Sequence, residues 1–211
     1  MGEKDDNPTG KKSSDWTKWK SAEVAVQGLA ETMLALDKDG EIPVYFFQGY
    51  QPLGTDNPLN VKSIIAKSNK DIEIAFSAKK PGGTTPLGQA LEQLRRDHLD
   101  RLLAGGEPFT VVILTDGVPD DPARVVGFFT KLVKEHNLSD LRRERLAAFT
   151  FVQQGDDERA AEFLRHLDDD LKSTIGADVI DTKKDNFIFG TEEKYVGAQG
   201  PIELLRQAVD D

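Results

Sequence analysis

The 211-residue sequence contains no cysteine. That single absence removes disulfides, thiolate zinc sites, iron–sulfur clusters and cysteine nucleophiles together. Histidine is scarce as well. The three present (His98, His136 and His166) are scattered, none at metal-ligand spacing from another, and each reads as a surface position on a helix. No apolar run approaches the roughly 20 residues of a membrane span. The opening stretch MGEKDDNPTGKKSSDW is polar and lacks the apolar core of a signal peptide. A cytoplasmic chain with no membrane partner is therefore expected. Basic residues are in deficit, 27 Lys and Arg against 37 Asp and Glu, for a net charge of −10. Phosphate neutralisation needs clustered Lys and Arg, so no nucleic-acid partner is expected either. What is present is globular in character: 38% hydrophobic and 30% charged residues, in a length that suits one domain with its own core.

Residues 1–14 read as a polar N-terminal loop and 15–211 as a single domain. Ser14 or Asp15 can cap a helix in which Trp16, Trp19, Ala22, Val26, Leu29, Met33 and Leu36 recur at three- and four-residue steps. IPVYFF (Ile42 to Phe47) is apolar on both faces, as a buried parallel strand is. Val61, Ile64 and Ile65 suggest a short helix, and the alternation in DIEIAFS (71–77) suggests a strand. A helix is expected from about Pro86 to Leu103. FTVVIL (109–114) is the strongest strand signal in the chain, being continuous and β-branched. A helix from Pro122 to His136, a strand at LAAFTFVQ (146–153), a helix from Asp156 or Asp157 to about Ser173, a strand at ADVID (177–181) and a last helix from Pro201 to Val209 complete the order. This alternation predicts an α/β fold, doubly wound, with a mostly parallel central sheet and helices on both faces. Asp168, Asp169 and Asp170 read as solvated surface, as does the run Arg142-Arg143-Glu144-Arg145. Asp120 and Asp121 read as caps of the helix from Pro122.

In such a sheet, ligands bind outside the carboxyl ends of the strands. Two loops fall at that edge, Pro81-Gly82-Gly83-Thr84-Thr85-Pro86 and Thr115-Asp116-Gly117-Val118-Pro119-Asp120-Asp121. A nucleotide P-loop needs lysine where Gln89 stands after Gly83 and Gly88. An aspartyl phosphatase wants a second acid where Val118 stands. Neither enzyme chemistry is therefore complete, and a hydrolase or phosphotransferase using Asp116 is the weakest of the readings. Thr84 (with Thr85 the alternative) offers a hydroxyl oxygen and Asp116 a carboxylate, the oxygen donors a hard cation such as Mg²⁺ takes while keeping several waters. Each also has a plainer role, Thr84 as a helix cap and Asp116 in an Asp-Gly turn.

PGGTTPLGQAL and VVILTDGVPDD, about 30 residues apart and in this order, resemble the threonine loop and aspartate loop of von Willebrand factor type A domains. The element order agrees over nearly the whole chain. The stretch FVQQGDDERAAEFLRHLDDDL with ADVIDT resembles the bacterial stand-alone, tellurium-resistance-associated type. The resemblance implies a metal-ion-dependent adhesion site with Thr84 and Asp116 as ligands of Mg²⁺, or of Mn²⁺ or Ca²⁺. It implies a non-enzymatic protein–protein interaction module, in which an acidic side chain of the partner completes the metal's coordination. The family's first motif, D-x-S-x-S after a first strand, has no counterpart. The nearest match, Asp5-Asp6-Asn7-Pro8-Thr9, leaves only Met1 to Lys4 as a strand, too short and too polar. Met1-Gly2-Glu3 resembles the continuation of that motif, which implies that the first strand is missing from this chain. The metal site is then incomplete and its binding weak or lost. The rival reading is a metal-independent scaffold or stress-response assembly protein with a defunct site.

Overall fold

A computed structural model describes residues 18–36, 39–48, 60–79 and 81–184. Its elements run α1 (Lys18–Leu36), β1 (Ile42–Gln48), β2 (Asn60–Ala66), α2 (Asn69–Ser77), α3 (Leu87–Leu94), a π-turn (Arg95–Leu99), α4 (Asp100–Gly105), β3 (Phe109–Thr115), α5 (Pro122–His136), α6 (Leu141–Glu144), β4 (Ala147–Gln153), α7 (Glu158–Arg165), a second π-turn (His166–Asp170), α8 (Leu171–Ile175) and β5 (Ile180–Lys184). The polar loop over 1–14, Trp16 and the helix expected from Pro201 lie outside the described residues.

The protein is a mixed α/β molecule. Its described strands form two sheets, the antiparallel pair β1–β2 and the parallel sheet β3–β4–β5. In the pair, Ile42 lies opposite Ala66 and Gln48 opposite Asn60. In the parallel sheet Phe109 lies opposite Ala147 and Phe149 opposite Ile180. The core of the parallel sheet is a cluster of interlocking rings. Phe149 meets Phe109, Phe128 and Phe129 edge-on at 5.7, 6.2 and 5.0 Å between centroids. Leu132, Leu164 and Leu167 from the flanking helices close over them. Beside the hairpin a second cluster packs Trp19, Phe46 and Phe76 together, with Trp19 and Phe76 4.7 Å apart.

Two sequence expectations exchange places. The short helix expected around Val61, Ile64 and Ile65 is instead β2, and the strand or extended segment expected at 71–77 lies in α2. The exchange has a local cause. Ser68 Oγ accepts from the Asp71 amide, and the Asp71 carboxylate accepts from the Lys67 amide and the Ser68 hydroxyl. This is a reciprocal cap that starts a helix. Ile72, Ala75 and Phe76 then share one buried face at helical spacing, and the Ile72-Glu73-Ile74 alternation is incidental, with Ile74 58% exposed. β1 is antiparallel to its neighbour rather than a buried parallel strand. The final strand begins three residues later than expected, at Ile180.

Three polar groups read as surface do structural work. Arg143 donates to the His136 and Leu103 carbonyls, satisfying the C-terminal ends of α5 and α4. His136 is largely buried and shares the Asp100 carboxylate with Arg95. Asp168 accepts from both the amide and the hydroxyl of Thr182.

Candidate functional site

The two loops singled out in the sequence meet. Thr85 donates its amide to Asp120 Oδ1 at 2.8 Å, and Asp120 donates its amide back to the Thr85 carbonyl at 3.0 Å. This reciprocal pair fixes the glycine-rich loop against the aspartate loop. Asp120 is thus a loop clasp and not the helix cap expected of it. Asp121 alone caps α5, its carboxylate accepting from the Arg124 amide at 3.0 Å, with Pro122 in the first turn. Gly82 and Gly83 take φ of 140° and 85°, backbone that side-chain-bearing residues rarely adopt. The two glycines turn the chain so that Thr84 is exposed at the loop tip. Neither threonine caps α3, whose N-cap is Pro86 with no side-chain hydrogen bond.

Asp116 follows the last residue of β3 and is half-buried. Thr115, buried beside it, donates its hydroxyl to the Gly117 carbonyl at 3.2 Å and so shapes the turn. Thr84, Thr85 and Asp116 are among the residues that line one cavity of about 2420 Å³. The two candidate ligands thus stand on loops joined through Thr85 and Asp120, and both line this cavity.

Behind the loops, Arg124 of α5 makes a two-pronged pair with Glu92 of α3, at 3.0 and 2.6 Å. The Arg124 hydrogen bond holds the Glu92 carboxyl below its usual range, and Glu92 in turn raises Arg124. Gly88 makes room for this pair. A Cβ there would stand 2.9 Å from Arg124 Cγ. This lock was not read from the sequence. The signal was available only as a glycine and two opposite charges 32 residues apart.

The oxygen donors suit a hard cation in type, a hydroxyl and a carboxylate. They are few. Among the described residues no group of three or more His, Cys, Asp or Glu is gathered as a metal cluster needs. No helix among them is long and apolar enough to cross a membrane. Neither the family models nor the curated proteins searched yield a match to this sequence.

Proposed function

We propose that the chain is a von Willebrand factor A-type interaction module, doubly wound in topology, that binds a protein partner through a divalent cation held by Thr84 and Asp116. The observation that carries this reading is the Thr85–Asp120 clasp. It joins a hydroxyl-bearing loop to a carboxylate-bearing loop, which supports a shared site and which no helix cap or isolated Asp-Gly turn requires. Two protein donors leave most of an octahedral shell to water. The cation stays electrophilic, and an acidic side chain from a partner displaces a water to complete it. In the drier contact the attraction is less screened. With one protein carboxylate, affinity for the bare cation falls on the order of 10⁻³ M.

The sparse donor set favours one rival, a scaffold that uses the same surface without metal. Isothermal titration of Mg²⁺ and Mn²⁺ into the 211-residue chain separates the two. Saturable heat, lost in Asp116→Ala and reduced in Thr84→Ala, is the expected result. No saturable heat at millimolar cation, with the protein folded, overturns the cation reading in favour of the scaffold.

A further inference from the structure

Helices α3 and α5 begin at the two candidate loops, and two ties join them there. The first is the clasp. The Thr85 carbonyl accepts from the Leu87 amide at 2.8 Å, where α3 starts, and from the Asp120 amide at 3.0 Å, just before α5. Asp120 is exposed, so these bonds compete with water and fix little alone. The second tie is built around Arg124, in the first turn of α5. Its Nε and Nη2 donate to the two Glu92 oxygens at 3.0 and 2.6 Å. Gln89, three residues before Glu92, takes the remaining nitrogen. With its oxygen turned to the guanidinium, it accepts from Arg124 Nη1 at 3.0 Å and donates to the Pro86 carbonyl at 3.2 Å. That orientation is the one that gives both ends of the amide a partner. The Arg124 amide is held as well, by the Asp121 carboxylate. The contacts close a ring, from Thr85 and Pro86 through Gln89, Arg124 and Asp121 to Asp120 and back to Thr85.

We propose that Arg124 is a positioning residue for the cation site: through Glu92 and Gln89 it holds the clasp closed, and so keeps Thr84 and Asp116 at the spacing one cation needs. The spacing of the two donors rests on the cation reading, whereas closure of the clasp does not. Apolar packing does not do this work. Leu91, Val125 and Phe128 belong to the core cluster that holds both helices on the sheet, but apolar burial is non-directional and leaves their register open. A planar guanidinium gripped at all three nitrogens fixes distance and register together. Gly88 is what lets it do so. A Cβ there would stand 2.9 Å from Arg124 Cγ and 3.2 Å from Arg124 Cβ, so the arginine stem lies directly on the start of α3. The glycine and glutamine that exclude a nucleotide loop, Gly88 and Gln89, thus both serve the arginine.

Hydrogen exchange on the 211-residue chain in chelator reads the clasp without metal, at the amides of Thr85 and Asp120. The Phe149 amide, bonded to the Val179 carbonyl in the parallel sheet, reads global opening. Arg124→Gln is expected to speed exchange at Thr85 and Asp120 by about tenfold, with Phe149 changed by about twofold or less. Arg124→Lys keeps the charge and most of the stem, so it protects the fold, but an ammonium cannot span Glu92 and Gln89 at once and the clasp amides should open as in Arg124→Gln. Titration of Mn²⁺ then reads the site, and both variants should bind about threefold more weakly than the parent, or worse. Clasp exchange that stays at the parent rate overturns the proposal. Exchange that rises equally at Phe149 also overturns it, since Arg124 then serves general stability. So does parent-like Mn²⁺ affinity in a variant whose clasp has opened. No saturable Mn²⁺ binding in the parent overturns the cation reading and the donor spacing with it, and the exchange rates alone then decide whether Arg124 closes the clasp.

Discussion

Among the described residues the parallel sheet has two outer edges, and they are finished differently. At β5 the edge is closed. The Thr182 amide, which faces away from β4, donates to the Asp168 carboxylate at 3.0 Å, and the Thr182 hydroxyl donates to the same oxygen at 2.8 Å. At β3 the edge faces a cavity. The strands behind these edges differ accordingly. β4, with a neighbour on each side, has six of its seven residues buried, whereas β3 has two of seven, although FTVVILT is at least as apolar as AAFTFVQ. Apolar composition therefore makes a strand available for burial, and neighbours on both edges accomplish it.

The most direct way to break this contrast is to truncate one side chain on each strand. Phe149 is 1% exposed and sits at the centre of the ring cluster. Phe149→Ala is expected to destabilise by about 3–5 kcal/mol, the usual cost of an aromatic-sized cavity. Val112 is only half-buried, against Ala25 and Leu29 of α1, and Val112→Ala should cost about 1 kcal/mol or less. Urea unfolding of both variants measures the ratio. Equal losses would mean that β3 is as enclosed as β4 in solution and that the two edges do not differ.

The closed edge can be opened in turn. Asp168→Ala leaves the Thr182 amide and hydroxyl without their acceptor and should destabilise by about 1–2 kcal/mol. The exchange of the Thr182 amide should rise toward that of the β3 edge. Asp168→Asn keeps an acceptor oxygen in place and should leave that exchange slow. If both variants behave as the parent, the second π-turn is not what closes this edge.

The next variant addresses what holds the hairpin to the rest. Tyr45 of β1 donates its hydroxyl to Asp97 Oδ2 in the π-turn at 2.8 Å, and burial, aided by that carboxylate, holds the hydroxyl above its ordinary range. Tyr45→Phe removes the bond with little change of shape, at about 0.5–1 kcal/mol. The loss should be read selectively, in faster exchange of β1 and β2 amides with β4 unchanged. Uniform loosening would instead show that hairpin and parallel sheet open as one unit.

Legibility in the sequence follows the strength of the local signal rather than the number of neighbours. Elements with a long apolar run or with both ends marked were legible. The expected Pro122–His136 helix has those ends in the structure, and its bounds are written in Asp121, Pro122 and the left-handed Asn137 at its end. The strands expected at 109–114 and 146–153 stand at 109–115 and 147–153 in the structure, legible from their apolar runs. The hairpin region was not, because β2 and α2 are each half exposed. There the hydrophobic pattern is diluted, and the cap at Ser68 and Asp71 decides between helix and strand. Of the site, the two loops were legible by residue type, while the Thr85–Asp120 clasp and the Arg124–Glu92 lock join residues 35 and 32 positions apart. Asp168 was misread for the opposite reason. A triple-acid run looks solvated, and only the fold shows that its first member faces Thr182.

That misread carboxylate gives the finest distinction between the edges. Burial raises the Asp168 pKa above its ordinary 3.8, with Asp181 and Asp169 nearby adding to the rise and the Thr182 hydrogen bonds opposing it. A folded-state pKa above the unfolded one means that the folded protein binds more protons in the interval between them. The group's contribution to stability is then fully present below the unfolded value and is lost as pH rises through the folded value. Asp168→Asn mimics the protonated form at every pH. It should be more stable than the parent at neutral pH, and the gap should close on acidification through the folded-state value. Other acids, such as Glu92 and Asp100, are held below their usual range. They weaken both proteins alike as pH falls, so the difference between the two unfolding curves isolates Asp168. A gap that widened on acidification would mean that the Thr182 hydrogen bonds outweigh burial, and that the sheet closes this edge with a charge rather than in spite of one.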